Sequence, residues 1–219
     1  MATRLNAHEP RRQRGRILPL AFFERPTLEV ARDLLGCLLC RREDDGTLTA
    51  GRIVETEAYI GEDDPACHAR AGLTPRTRVL YGPPGRSYVY FTYGMHYLFN
   101  AVTESKGRPA AVLVRALRPE AGLERMMARR GTQAVRDLAR GPARLCEAMD
   151  IDLDCNDVSL RGPILTLRED GWAPDRIASG PRIGIRHGAD RPWRFWIEGE
   201  AHVSRGPSAS PSMRRIRRG

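Results

Sequence analysis

Between Ser87 and Pro119 the chain carries three strand-like runs in succession, SYVYFTY, HYLFNAVTE and AAVLVRALRP, with Gly94 separating the first from the second. Aromatic and β-branched residues dominate these runs, and such residues favour the half-buried, pleated surface of a sheet. Glycine tolerates positive φ, so Gly94 suits the tip of a hairpin. Strands joined this closely pair antiparallel, because a parallel return needs a crossover of a dozen or more residues.

Neighbouring patterns extend that frame. LEVARDLLG places Leu28, Ala31, Leu34 and Leu35 on one helical face, with Thr27 expected as its N-cap and Gly36 as its stop. CLLCRRE, DDGT and LTAGRIVETEAY read as strand, turn and strand. Residues 61–86 are loop-like, rich in Gly, Pro and Arg. EAGLERMMARR reads as a helix, and ARLCEAMDI as a second one past the Gly141–Pro142 break. GPILTLRED, RIGIRH and WRFWIEGEAHVS alternate like strands. The expected fold class is α+β: a single domain with a curved, mainly antiparallel sheet, packed helices and a protruding β-hairpin.

The net charge of +9 points to an anionic partner, but its distribution is uneven. Residues 1–16 carry five Arg and one Glu; residues 205–219 carry five Arg and no acid. The segment 17–204 is therefore formally neutral, with 26 basic and 26 acidic residues. The expected organisation is a disordered basic tail at 1–16, one domain at 17–204, and a second disordered basic tail at 205–219. Such tails suit nonspecific attachment to a polyanion. No run of residues is long and apolar enough for a membrane span, and no apolar stretch follows the basic N-terminus as a secretory signal requires. Five cysteines at irregular spacing do not form a disulfide framework, and a reducing compartment is expected. Cys37 and Cys40 form a CxxC inside an apolar strand, where alternation turns them to opposite faces; no metal is expected.

The chemistry-bearing residues cluster. All six tyrosines lie between Tyr59 and Tyr97, and from Pro65 to Thr103 there is no acidic residue, while Arg70, Arg76, Arg78 and Arg86 supply positive charge. Arginine interleaved with aromatic rings suits nucleic acid, the guanidinium holding phosphate and the rings stacking on bases. Just before this region, strand alternation puts Ile53, Glu55, Glu57 and Tyr59 on one face and Val54, Thr56 and Ala58 on the other. A carboxylate two residues from a tyrosine can place a base beside a stacking platform. Tyr93, at the expected hairpin tip, can act as a wedge in a duplex. Two other readings remain open at this level. One is a noncatalytic nucleic-acid-binding protein; the other is a carbohydrate glycosidase using Glu55 and Glu57 as its two carboxylates.

ETEAY (55–59), His68, TPR (74–76), YVYFTYGM (88–95), Asn100 and LVRAL (113–117) together resemble the alkyladenine (3-methyladenine) DNA glycosylase family, of the strand-and-hairpin type rather than the helix-hairpin-helix type. GPARLCEAM (141–149), RIGIRH (182–187) and HVS (202–204) extend the resemblance over roughly residues 17–204. The resemblance implies a base-excision enzyme that flips an alkylated or deaminated purine from duplex DNA and hydrolyses its glycosidic bond. Glu57 would be the general base that activates water for attack on C1′, with Arg115 holding water and carboxylate. Tyr59, His68 and Tyr90 would sandwich the extruded base, His68 would also meet it through its backbone N–H, and Tyr88 would brace the His68 imidazole. Tyr93 would fill the gap left in the duplex, and Asn100 would clash with the 2-amino group of normal guanine. Arg76 and Arg78 would contact the DNA backbone. The sole lysine, Lys106, lies away from these motifs. A monofunctional glycosylase leaving an abasic site is therefore expected, since a Schiff-base step has no nucleophile. The implied partner is double-stranded DNA with a damaged purine, approached from the minor groove by a monomer, with no cofactor and no membrane. The implied location is cytoplasmic and nucleoid-associated in a bacterium, or nuclear in a eukaryote.

Overall fold

The computed structural model describes residues 15–206 and the backbone of residues 210–214. The three aromatic and aliphatic runs form β4 (Ser87–Thr92), β5 (His96–Val102) and β6 (Ala110–Ala121), each antiparallel to the next. β2 (Leu38–Arg42) and β3 (Leu48–Ile60) form the expected hairpin, and β3 lies along β6 for almost its whole length. With β1 (Arg16–Ile17) and β7 (Leu165–Glu169), the main sheet runs in the order β1-β7-β2-β3-β6-β5-β4. The second half of β3 also takes β9 (Arg194–Ile197), which pairs in turn with β8 (Arg176–Gly180). A single edge of β3 thus serves β2 through Leu48–Arg52 and β9 through Glu55–Glu57.

The helices are α1 (Leu20–Phe23), α2 (Thr27–Asp33), α3 (Leu123–Arg130) and α4 (Pro142–Met149). Val30, Ala31 and Leu34, with Leu145, Cys146, Ala148 and Met149, pack on Val112, Val114 and Ala116 of β6 in one apolar core. The odd-numbered neighbours Ala111, Leu113 and Arg115 turn to the other face, where two cavities open. This alternation gives β6 an apolar side for the helices and a side for a site.

Several local expectations differ from the structure. Thr27 opens α2 instead of capping it, because its hydroxyl is committed to Thr103 and Glu104 and Pro26 precedes the helix. The register of β3 against β6 shifts between Ile53 and Thr56, and such an irregularity interrupts alternation. Ile53 therefore joins Val54 in the apolar core instead of sharing the face of Glu57. RIGIRH is not a strand but part of a loop between β8 and β9, held by the buried Arg182–Asp64 ion pair; RIASG supplies the strand before it. Within the chain assigned to the tails, Arg16 pairs with Glu169, and β10 (Ser210–Arg214) pairs with β8. The rest of both expected tails, apart from Gly15, Arg205 and Gly206, lies outside the described residues.

Candidate active site

The centre of the site is a buried box of four charges. Glu55 and Glu57 project from β3 and meet Arg115 from β6 and Arg194 from β9. Arg115 spans both carboxylates, with Nε 3.1 Å from Glu55 Oε1 and Nη1 3.1 Å from Glu57 Oε2. Glu55 also accepts Arg194 Nε at 2.7 Å, the Ser204 N–H at 2.8 Å and the Ser204 hydroxyl at 2.9 Å. Two carboxylates and two guanidiniums cancel, as buried charge requires. Burial opposes the charge on Arg115, but Glu57 and Glu55 beside it outweigh that and hold it protonated.

Glu57 meets the aromatic cleft through its partners, since Tyr59, Arg115 and Ile183 all line it. Its Oε1 accepts the backbone N–H of Ile183 at 2.7 Å, and its Oε2 accepts the Tyr59 hydroxyl at 2.8 Å. Burial and the adjoining Glu57 charge push the Tyr59 phenol well above its usual value, so it stays protonated and donates. A carboxylate offers about four acceptor positions. Three are filled on Glu57, which sits fully buried behind Tyr59, Arg115 and Ile183 of the cleft wall.

The aromatic residues surround this carboxylate. His68 begins a short 3₁₀ helix, His68–Ala71, and its Nδ1 lies 2.9 Å from the Tyr88 hydroxyl. Burial, and then the positive charge of Arg76, lowers the His68 imidazole to about 4, so it is neutral near pH 7. The His68 and Tyr90 rings touch edge to face at 4.4 Å and 71°. A base cannot pass between rings so close, so these two residues form one wall. Tyr59 lines the same two cavities. The inner cavity, about 30 Å³, is bounded by Tyr88, Asn100 and Ala111 among others. The outer cleft, about 380 Å³, is reached by Tyr93, Leu113, Arg115 and Ile183 and falls in the size range of small-molecule sites. Asn100 is buried on β5 and donates from Nδ2 to the Tyr88 carbonyl at 3.0 Å.

Tyr93 and Gly94 both have positive φ, 52° and 68°, in the three-residue turn between β4 and β5. Positive φ is disfavoured for a bulky side chain, and here it leaves Tyr93 83% exposed at the hairpin tip. Arg76 reaches the aromatic wall, with its guanidinium 5.3 Å from the Tyr90 ring centroid. Arg78 is exposed in the same loop and lines neither cavity. The structure therefore gathers Glu57, Arg115, Tyr59, His68, Tyr88, Tyr90 and Asn100, with Tyr93 and Arg76 at the rim, and leaves Arg78 apart.

Four contributors were not singled out from sequence: Asp64, Arg182, Arg194 and Ser204. Asp64 and Arg182 form a fully buried ion pair with contacts of 2.6 and 2.7 Å, and Arg182 lies against the Tyr59 ring. The motifs RIGIRH and HVS marked two of these places, but nothing local assigned them a partner. All five cysteines are buried, and among the described residues no His, Cys, Asp and Glu group is arranged to hold a metal. Among the same residues no helix is long and apolar enough to cross a membrane.

The family described as methylpurine-DNA glycosylase matches residues 21–201. A protein of Chlorobaculum parvum is 45% identical over 90% of this chain and 95% of its own length. One from Methanoculleus marisnigri is 49% identical, covering 86% of this chain and 98% of its own length. One from Burkholderia lata is 50% identical, covering 87% and 92%. All three bear the name "Putative 3-methyladenine DNA glycosylase".

Proposed function

The chain belongs to the methylpurine-DNA glycosylase family, the DNA glycosylases of base-excision repair, and from that premise we propose that Glu57 activates the hydrolytic water against a flipped, damaged purine. One observation carries the assignment: a buried carboxylate is held by Arg115, the Ile183 N–H and the Tyr59 hydroxyl, three groups whose residues all line the aromatic cleft.

In this reading the base stacks between Tyr59 on one side and the His68–Tyr90 pair on the other. The N9–C1′ bond breaks with its electrons going to the base, the water oxygen bonds to C1′, and Glu57 takes the water's proton. A purine methylated on a ring nitrogen already carries positive charge and leaves readily. A neutral deaminated purine requires an added proton, whose donor lies outside the groups assigned here. His68, neutral and braced by Tyr88, offers its backbone N–H to the base, because the first N–H groups of a helix have no intrahelical acceptor. Asn100 limits the inner cavity, Tyr93 occupies the gap in the duplex from the minor groove, and Arg76 and Arg78 meet the backbone. The enzyme acts as a monomer on double-stranded DNA and leaves an abasic site. The two-carboxylate glycosidase reading loses support because Glu55 is consumed by two arginines and Ser204.

The test is excision from duplexes carrying 3-methyladenine, 7-methylguanine, hypoxanthine or ethenoadenine, scored as alkali-labile sites. Wild-type protein should cut, and Glu57→Gln should bind the lesion without cutting. Binding by the wild type with no alkali-labile product would leave only a noncatalytic nucleic-acid binder.

A further inference from the structure

Behind the Tyr59 ring lies a buried cation. The Arg182 guanidinium carbon is 4.7 Å from the centroid of Tyr59 and 5.2 Å from that of Trp193. Arg182 has no solvent exposure at its side chain and lines neither cavity, so it backs the face of Tyr59 turned away from the cleft. Asp64 grips it with both oxygens, and Arg182 also donates to the Ala58 carbonyl at 3.0 Å. Burial alone would raise the Asp64 carboxyl, but the hydrogen bonds and charge of Arg182 lower it, so Asp64 is ionised. Arg191 lies 3.8 Å from Asp64 with a third of its side chain exposed.

Arg182 has a structural reason to be there. It anchors the loop whose next residue, Ile183, directs its N–H at Glu57. The same anchor puts a positive charge beneath the stacking platform. A base on the open face of Tyr59 would sit roughly 3.5 Å from the ring and thus about 8 Å from the guanidinium. A bare cation at that range opposes a cationic, ring-methylated purine and scarcely affects a neutral one.

Resting on the reading of the cleft as a purine site, we propose that Asp64 is a specificity-determining residue: by neutralising Arg182 behind Tyr59, it keeps the platform open to cationic, N-alkylated purines. The other charges near the platform do not replace it. Glu55, Glu57, Arg115 and Arg194 balance one another, and Arg76 adds a further cation on the Tyr90 side. Asp64 acts through Arg182 and Tyr59 and touches no reacting atom.

The experiment compares kcat/KM for a duplex containing 7-methylguanine, a cationic base, with that for the same duplex containing hypoxanthine, a neutral one. The guanidinium would lie about 8 Å from such a base and Asp64 within a few ångströms of the guanidinium, so over about 8–12 Å at an effective dielectric of about 20 one unit charge is worth roughly 10–30-fold in the ratio. Asp64→Asn should shift the cationic-to-neutral ratio down by that factor. Arg182→Gln, which leaves the carboxylate, should move the ratio the opposite way. The double variant should return near the wild-type ratio, whatever its absolute rates. Thermal melts establish which variants fold. Each single variant tests the sign on its own, and the double avoids an unpaired buried charge. A ratio within twofold of wild type in a folded single variant would overturn the proposal, as would shifts of the same sign in both. Failure of the wild type to excise either base would instead refute the glycosylase chemistry and is read from the same assay.

Discussion

Arg115→Leu is the most direct perturbation of the charge box. The substitution leaves Glu55 and Glu57 buried with Arg194 as the single remaining guanidinium, a net charge of −1 in a site whose carboxylates have no solvent exposure. Removing one partner of a buried ion pair costs about 3–5 kcal/mol, because the other charge stays buried without compensation. For a domain of this size that corresponds to a fall of about 6–20 °C in Tm. Urea denaturation followed by tryptophan fluorescence measures the loss. The second half of the test adds Glu55→Gln, which restores the balance to Glu57 and Arg194. The double variant should recover at least half of the lost stability, a coupling of opposite sign to simple additivity. Excision should remain lost, since Glu57 no longer has the guanidinium that orients it. A cost below about 1 kcal/mol for Arg115→Leu, or further destabilisation on adding Glu55→Gln, would refute the balanced-box reasoning.

Tyr93→Ser should weaken binding to a duplex with an abasic-site analogue at least tenfold with Tm unchanged, because the side chain is exposed at the hairpin tip; unchanged affinity would count against the wedge. His68 titrates near 4 in the folded protein, below the roughly 6.5 of an unfolded chain. The unfolded state therefore binds more protons between these values, so stability is present above about pH 6.5 and is lost as pH falls towards 4. His68→Gln should flatten that slope in urea titrations from pH 4 to 7, and an unaltered slope would show that His68 is not its source. Deleting residues 1–14 and 215–219 should flatten the salt dependence of nonspecific DNA binding while excision persists; an identical salt slope would mean that these residues do not touch DNA.

The legible part of the fold rests on local repetition. Alternation in β6 separates Val112 and Val114 from Leu113 and Arg115, and the Gly94 turn marks the hairpin before any tertiary contact is known. The pairing of Glu57 with Tyr59 follows from the same two-residue period. Ile53 shows where that logic stops, since a register shift sends it to the opposite face and nothing in RIVETEAY announces the shift. Asp64–Arg182 was invisible for a different reason. The two residues lie in loops more than a hundred positions apart, and an ion pair between loops has no periodicity. The same holds for Ser204, whose hydroxyl reaches Glu55 from beyond β9. Family resemblance supplied the role of Glu57, but it did not supply the residues that hold Tyr59 and Glu57 in place.

The shared edge of β3 also orders the assembly of the enzyme in time. Residues from Leu48 to Arg52 are matched by β2, which leaves the ribosome before them, but Glu55–Glu57 wait for β9. Arg182, Ile183, Arg194 and Ser204, synthesised later, bring the remaining charge and hydrogen bonds to carboxylates made more than a hundred residues earlier. A nascent or truncated chain ending before Arg182 holds two glutamates against one arginine at its centre. Such a fragment carries an unbalanced buried charge, and the box closes only once Arg194 and Ser204 have joined it.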